Sequence, residues 1–297
     1  MLLIYRTFKR LKTFERKSKY MKLKFIKLSM VCIIATMVFT SCKKDNVAKV
    51  AEVSVVKEWS IMLSTKYQVP AVHCKNQTGT VKLKLYSDNS LSYKIDVKDV
   101  EWGDELVAAH IHEGNVLENG SIVLGLHPMF TGGKAMGVVT DLRSSFADSL
   151  KNDYNELYFN VHSKNHPKGL VRGQLNVGIE LADDVELIGA NQIPAVNTMA
   201  KGLALIRLTS DKKIYTNVSV KDLEAWDNLL AAHIHKGAAG VDGPVIVTLC
   251  SSAADFGMIK INQLSDENFM SVKNDYNYVN VHSKAYPHGL IRGQIYN

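Results

Sequence analysis

The stretch Leu106-Val-Ala-Ala-His-Ile-His112 occurs a second time as Leu229-Leu-Ala-Ala-His-Ile-His235. Apolar and polar residues alternate through the end of both stretches, and a period of two is typical of a strand with one buried face. The two histidines of each stretch therefore share one face of a strand, and the alanine and isoleucine beside them share the other. We expect the apolar face to line a core.

The repeat extends well beyond this strand. Three further motifs recur with offsets of 120 to 124 residues: Gln68-Val-Pro-Ala-Val72 from Gln192, Asn160-Val-His-Ser-Lys164 from Asn280, and Gly169-Leu-Val-Arg-Gly-Gln174 from Gly289. A period of this length is too long for a solenoid and indicates two duplicated domains in tandem.

Short alternating segments such as Leu91-Ser-Tyr-Lys-Ile-Asp-Val97 fill each copy, with Gly, Asn and Asp clusters between them. This pattern predicts about seven strands per copy, and a helical turn is expected near residues 144–151 and 265–273. The fold class that follows is all-β: two tandem antiparallel β-sandwich domains of the immunoglobulin-like or superoxide-dismutase-like kind.

The first 41 residues look like a secretory signal peptide. Lysines lead into an apolar run at residues 28–40, which is too short for a comfortable membrane span. The run ends at Cys42 in a sequence that resembles a bacterial lipobox, so we predict that Cys42 is lipidated and that residues 42–56 form a tether. Because a second basic run precedes Met21, we predict that translation begins at Met21.

The net charge of +7 is the sum of +9 in this leader and −2 in the rest of the chain. From Cys42 onward the chain has 26 basic and 28 acidic residues, so composition implies no basic face and excludes a nucleic-acid partner. The leader predicts a place in the bacterial cell envelope, on the outer membrane, with the N-terminal lipid in the membrane and the domains outside the cytoplasm.

The repeated motifs are similar to those of the CHRD domain, which is named after chordin and found in many secreted bacterial proteins. The resemblance covers nearly the whole chain after the leader, and it assigns residues 57–178 to a first domain and residues 179–297 to a second. It implies a non-catalytic binding or structural module whose partner is an extracellular or periplasmic protein or glycan. The growth-factor antagonism of chordin does not transfer to a bacterial lipoprotein.

Each copy carries three histidines on the polar face of its predicted sheet. The sets are His110, His112 and His162 in the first copy, and His233, His235 and His282 in the second. Three imidazoles on neighbouring strands suit Zn or Cu, which would make the protein a metal binder or a dismutase-like enzyme. Alternatively, the histidines hydrogen-bond to loop backbone and to Asn160 or Arg172, and they then have a structural role.

Other residues on the polar face, or just before it, are candidates for ligand binding. They are Arg172 and Arg292, Asn160 and Asn280, and the tryptophans Trp102 and Trp226 that precede the histidine strands. The arginine could instead pair with a carboxylate such as Glu113 or Asp104, and the tryptophans could fill a core rather than stack on a sugar. His127, which aligns with Cys250, is expected to lie on the surface or in a turn, as are His73, His166 and His288.

No nucleophile elbow, phosphate-binding loop or zinc-protease motif occurs in the sequence, and no catalytic residue is predicted. After the lipidation site two cysteines remain, Cys74 and Cys250. They occupy non-equivalent positions of the two copies, and we predict that both are unpaired thiols.

Overall fold

The computed structural model describes residues 52–72 and 75–296. The signal segment, the start at Met21, the lipidation of Cys42 and the state of Cys74 are predictions about residues outside these ranges. No helix within the described ranges has the length and apolar character needed to cross a membrane.

The described part of each domain forms eight strands and one short helix. In the first domain these are β1 (Val55–Ser64), β2 (Thr78–Tyr86), β3 (Leu91–Val97), β4 (Leu106–Glu113), β5 (Ile122–Gly125), β6 (Lys134–Val139), α1 (Ser144–Lys151), β7 (Leu157–Ser163) and β8 (Val171–Gln174). In the second they are β9 (Ile179–Ile188), β10 (Lys201–Thr209), β11 (Lys213–Lys221), β12 (Leu229–Lys236), β13 (Val245–Cys250), β14 (Lys260–Gln263), α2 (Asp266–Asn274), β15 (Asn277–Ser283) and β16 (Ile291–Ile295). Both helical turns predicted from the sequence are present. The sequence predicts about seven strands rather than eight, because strands of four residues such as β5 are too short to show a period.

Each domain is built on one antiparallel sheet that folds into two layers. The strand order is β5-β4-β7-β8-β1-β2-β3-β6, and the second domain repeats it with the equivalent strands. At the centre of this order, β8 and β1 pair at a single position, Arg172 with Ser64, and β16 and β9 pair only at Arg292 with Ile188. Each sheet therefore divides at that seam into two four-stranded halves around one core. The predicted all-β tandem sandwich is confirmed.

The core of the first domain takes alternate residues from both halves of the sheet. Val81, Leu83 and Leu85 of β2 and Phe159 and Val161 of β7 have no exposed surface and belong to one cluster. Burying a side chain of this size contributes about 1.5–3 kcal/mol to stability. The alternation read from the sequence thus assigns the core face correctly.

The opposite face of β4, β7 and β8 carries the repeated polar residues, and most of them are buried, with His110 only partly so. His112, Asn160 and Arg172 retain only 7%, 3% and 0% of their accessible surface. The loops that follow β4 and β7 cover this face. Polar groups tolerate such burial because the loop backbone supplies hydrogen-bond partners.

A buried ion pair of the second domain hydrogen-bonds to a turn of the first. Arg207 of β10 donates to Asp184 of β9 over 2.8 Å, and both side chains are almost fully buried. Arg207 also donates to the carbonyl oxygen of Gln68 in the first domain (2.8 Å), and Asp184 accepts from the backbone N–H of Ala71 (2.7 Å). The second domain therefore holds the Gln68-Val-Pro-Ala turn of the first.

An apolar contact supports the same junction. Val116 and Leu117 of the first domain pack with Tyr215 of the second in a small buried cluster. The Tyr215 hydroxyl donates to the carboxylate of Glu156 in the first domain over 3.2 Å. The position equivalent to Arg207 in the first domain is Lys84, which instead pairs with Glu58 at the surface.

Candidate functional site

Two adjacent strands bring the three histidines of each domain together. In the first domain, His110 of β4 lies opposite Asn160 of β7, and Ala108 lies opposite His162. His162 is consequently the diagonal neighbour of His110 on the same face. One ring nitrogen from each of His110, His112 and His162 lies within 4.8 Å of the other two, and His233, His235 and His282 form an equivalent set.

Backbone carbonyls fix the orientation of two rings in the first domain. His112 places Nδ1 3.0 Å from the carbonyl oxygen of Gly120, and His162 places Nδ1 3.0 Å from that of Pro167. Because a carbonyl oxygen only accepts, both Nδ1 atoms must carry the hydrogen. The lone pair of each ring is therefore on Nε2, the atom that faces the other histidines.

The second domain repeats these bonds. His235 donates from Nδ1 to the carbonyl oxygen of Gly243 over 2.9 Å, and His282 donates to that of Pro287 over 3.0 Å. Nε2 of His235, Nε2 of His282 and Nδ1 of His233 are then buried without a hydrogen-bond partner. Nε2 of His235 and Nε2 of His282 therefore each present a lone pair, and the cluster holds three buried ring nitrogens without a partner.

The first domain differs in one bond. Nδ1 of His110 lies 3.0 Å from Nε2 of His162, and since His162 is an acceptor at that atom, His110 is the donor. Nε2 of His112 remains buried without a partner. An unsatisfied buried polar atom costs about 1–3 kcal/mol, so each domain keeps a histidine cluster that lowers the stability of its fold.

The rings of His110 and His233 are uncharged at neutral pH. Burial, followed by the nearby His162, His112 and His127, lowers the pKa of His110 to about 4. Burial, followed by His282 and His235, lowers the pKa of His233 to about 4. Neutral imidazole is the form of histidine that coordinates metal ions.

An aromatic ring separates each cluster from the arginine beside it. The rings of His112 and Tyr158 are stacked, with centroids 4.8 Å apart and an interplanar angle of 11°. The Arg172 guanidinium carbon lies 3.4 Å from the centroid of Tyr158. The His112 ring and the Arg172 guanidinium cannot both occupy the same face of Tyr158, so the Tyr158 ring lies between them. Tyr278 occupies the same position in the second domain, between His235 and Arg292.

Arg172 is a support for the loop after β4. Its guanidinium donates to the carbonyl oxygens of Glu118 (2.9 Å) and Asn115, and it does not pair with Glu113 or Asp104. The carboxylate pairing expected from the sequence is therefore wrong in this domain, because Asp104 is engaged by backbone N–H groups such as that of Asn165. Burial lowers the pKa of Arg172 to about 10, which leaves the side chain charged at neutral pH.

Arg292 supports the equivalent loop of the second domain. It donates to the carbonyl oxygen of Val241 (2.7 Å) and to the carboxylate of Asp242 (3.0 Å). The arginine is buried, whereas the Asp242 side chain is 69% exposed. A carboxylate partner is thus present here, although it comes from the loop itself.

Asn160 and Asn280 tie the first motif of each repeat to the histidine strands. Asn160 accepts a hydrogen bond of 2.7 Å from the Gln68 side chain, and Asn280 accepts one of 2.6 Å from Gln192. All four side chains are buried. The sequence marks both glutamines as repeated, but their contact with the site depends on a turn that closes across the seam of the sheet.

Trp102 and Trp226 lie outside the cluster. They occupy the turns before β4 and β12 and are 101% and 67% exposed. The alternative that they fill a core is wrong. Their proposed contact with a sugar stays a prediction.

His127 is exposed in the loop after β5, as expected from the sequence, but its position beside His110 was not predicted. Its side chain lies against Gly125, such that a Cβ on Gly125 would be 3.3 Å from Nε2 of His127 and 3.8 Å from the His110 ring. The second domain has Thr248 at the glycine position, and Cys250, which replaces the histidine, is buried in the core. The first site therefore has a histidine beside it that the second site lacks.

The carbonyl partners Gly120 and Pro167 were also missed, although a signal exists. Gly243 and Pro287 repeat them in the second copy, and each proline lies five residues after the third histidine. A Cβ on Gly120 would overlap the carbonyl oxygen of Glu113. Only glycine lets the loop approach β4 closely enough to reach the His112 ring.

Comparison with known families agrees with this duplication. The model of the CHRD domain matches residues 59–175 and again residues 184–295. Each match contains one complete three-histidine set together with its tyrosine and arginine. No solved structure gives a significant match to the chain.

Proposed function

Because this protein belongs to the CHRD domain family through both of its domains, we propose that it is a lipid-anchored binding module of the bacterial cell envelope. In this proposal the two domains present two like sites to an extracellular or periplasmic ligand and catalyse no reaction. The inter-domain contacts of Arg207 and Asp184 support a fixed arrangement of the sites.

The observation that carries the binding role is the set of unpartnered ring nitrogens in both domains. A histidine cluster that served only to stabilise the fold would use its ring nitrogens in hydrogen bonds. Nδ1 of His233 and Nε2 of His112 and His235 are instead buried with none. Groups that lower stability and recur in both copies are characteristic of a binding site.

Substitution of His233 by leucine tests the role without knowledge of the ligand. Nδ1 of His233 has no hydrogen bond to lose, so we expect His233→Leu to leave the thermal midpoint unchanged or to raise it. A structural role predicts a clear fall in the midpoint instead. His282→Leu is the matched comparison, because it breaks the bond to Pro287 and should lower stability.

The tether can be tested separately. Cys42 lies outside the described residues, and the proposal that it carries lipid rests on the sequence before it. We expect the wild-type protein to fractionate with membranes and Cys42→Ala to lose this association. Recovery of equal amounts of both proteins in the membrane fraction would contradict the anchor but not the binding role.

A further inference from the structure

We propose that each three-histidine set binds one divalent transition-metal ion of the Zn²⁺ or Cu²⁺ class. The inference rests on the proposed binding function and names the ligand of its sites. The residues are His110, His112 and His162 in the first domain, and His233, His235 and His282 in the second.

The spacing of the ring nitrogens fits such an ion. Zinc bound to histidine nitrogen at about 2.0–2.1 Å in tetrahedral geometry places its ligand atoms about 3.3 Å apart. Nδ1 of His110 and Nε2 of His162 are 3.0 Å apart, and all three ligand atoms of each set lie within 4.8 Å of one another. Small side-chain rotations would close the remaining difference.

The surroundings of the rings are those of a prepared metal site. Metal-bound histidine almost always donates its other ring N–H to a carbonyl or carboxylate, which fixes the ring. The carbonyls of Gly120 and Pro167 do this for His112 and His162. Tyr158 adds a stacking contact that holds the His112 ring in place.

The donor set selects the class of ion. Three neutral imidazoles suit Zn²⁺ or Cu²⁺, whereas Ca²⁺ and Mg²⁺ require oxygen ligands. His110 and His233 are only partly buried, so an ion can reach both clusters from solvent. The positive charge of Arg172 does not face the ion, because the Tyr158 ring lies between them.

Other ligands fit these residues less well. An anion would need a charged donor, but Arg172 is fully buried and already donates to loop carbonyls. One ring nitrogen of each histidine lies within 4.8 Å of the other two, a spacing matched to a single atom rather than to a larger neutral ligand. A metal cation takes one lone pair from each ring, and in the first domain this requires His110 to carry its proton on Nε2 instead of Nδ1.

Equilibrium dialysis of the purified full chain against Zn²⁺, and separately against Cu²⁺, tests the proposal. We expect two equivalents of metal per chain for the wild type. His112→Ala and His235→Ala should each retain one equivalent, and the double variant should retain none. His166→Ala is the matched control, since this histidine lies outside the cluster, and it should keep two.

Two results would overturn the proposal. One is less than about 0.2 equivalents of either metal on the wild type, given the affinity expected for imidazole ligands. The other is a metal stoichiometry that is the same for the double variant and the wild type.

If the double variant fails to fold, the electron paramagnetic resonance spectrum of the copper-loaded wild type decides: nitrogen coupling supports the site, and an all-oxygen spectrum refutes it. If His233→Leu is as stable as the wild type and no metal binds, the proposed binding function stands and the proposal that its ligand is a metal ion fails.

Discussion

Arg207 of the second domain donates a hydrogen bond of 2.8 Å to the carbonyl oxygen of Gln68 in the first. The side chain of Gln68 in turn donates to Asn160, the residue opposite His110 in the sheet. Contact between the domains is thereby connected to the first histidine cluster. Gln192 makes the same bond to Asn280 in the second domain. Within the described ranges, however, no other domain packs against the turn that contains Gln192.

The first prediction concerns this junction. Arg207→Ala leaves Asp184 buried without its partner, and breaking a buried ion pair in this way typically costs about 3–5 kcal/mol. We expect the second domain to lose that free energy of unfolding and the calorimetric trace to separate into two transitions. Lys84→Ala, at the equivalent surface position, should change stability by no more than about 0.5 kcal/mol. An unchanged single transition in Arg207→Ala would refute the coupling.

A second prediction concerns the loop that orients His112. Arg172→Met removes the donors to Glu118 and Asn115, which should release the loop that carries the Gly120 carbonyl. Loss of such an outer partner typically weakens metal binding by about 10–100-fold. Zinc titration should show this loss for one of the two equivalents only. Equal affinities in the variant and the wild type would show that the loop holds without the arginine.

The third prediction uses the difference between the two sites. His127 lies beside His110 and has no histidine counterpart in the second domain. We expect His127→Ala to weaken one zinc equivalent and leave the other unchanged. Cys250→Ala is the matched control, because Cys250 lies in the core of the second domain. If His127→Ala binds both zinc equivalents as tightly as the wild type, His127 is not part of the site.

A fourth prediction is a loss of stability of the metal-free protein in acid. The pKa of His110 and that of His233 are lowered to about 4 by burial, and those of His112, His162 and His282 are also lowered. A lowered folded-state pKa means that the unfolded chain binds protons first. Stability is then complete above pH 6.5 and falls as the pH drops from about 6.5 toward 4.

Thermal unfolding between pH 7.5 and pH 4.5 checks this sign. The double variant His110→Leu with His233→Leu should show a shallower decline than the wild type over this interval. Parallel curves for the two proteins would mean that other groups cause the acid sensitivity. Chelator is needed in all samples so that no metal competes with the protons.

The sequence was sufficient to predict most of the fold. Alternation assigned Phe159 and Val161 to the core and His110 and His112 to the opposite face, since side-chain direction in a strand depends only on the period of two. The duplication then repeated the same assignment for the second domain. Local periodicity is a short-range property, and this is why it could be predicted.

The burial of the polar face could not be predicted in the same way. Whether Arg172 meets a carboxylate or the carbonyls of Asn115 and Glu118 depends on the path of a loop, which has no period. The role of Gly120 follows from the close approach of that loop to β4. The junction at Arg207 was hidden for a further reason: it occurs in only one copy, and the repeat draws attention to what both copies share.

X-ray anomalous diffraction from crystals of the zinc-loaded protein tests the central claim most directly. We expect two anomalous peaks per chain. One should lie about 2.0–2.1 Å from ring nitrogens of His110, His112 and His162, and the other should have the same relation to His233, His235 and His282. Absence of peaks at both clusters, or peaks bound only by surface carboxylates and histidines elsewhere, would contradict it.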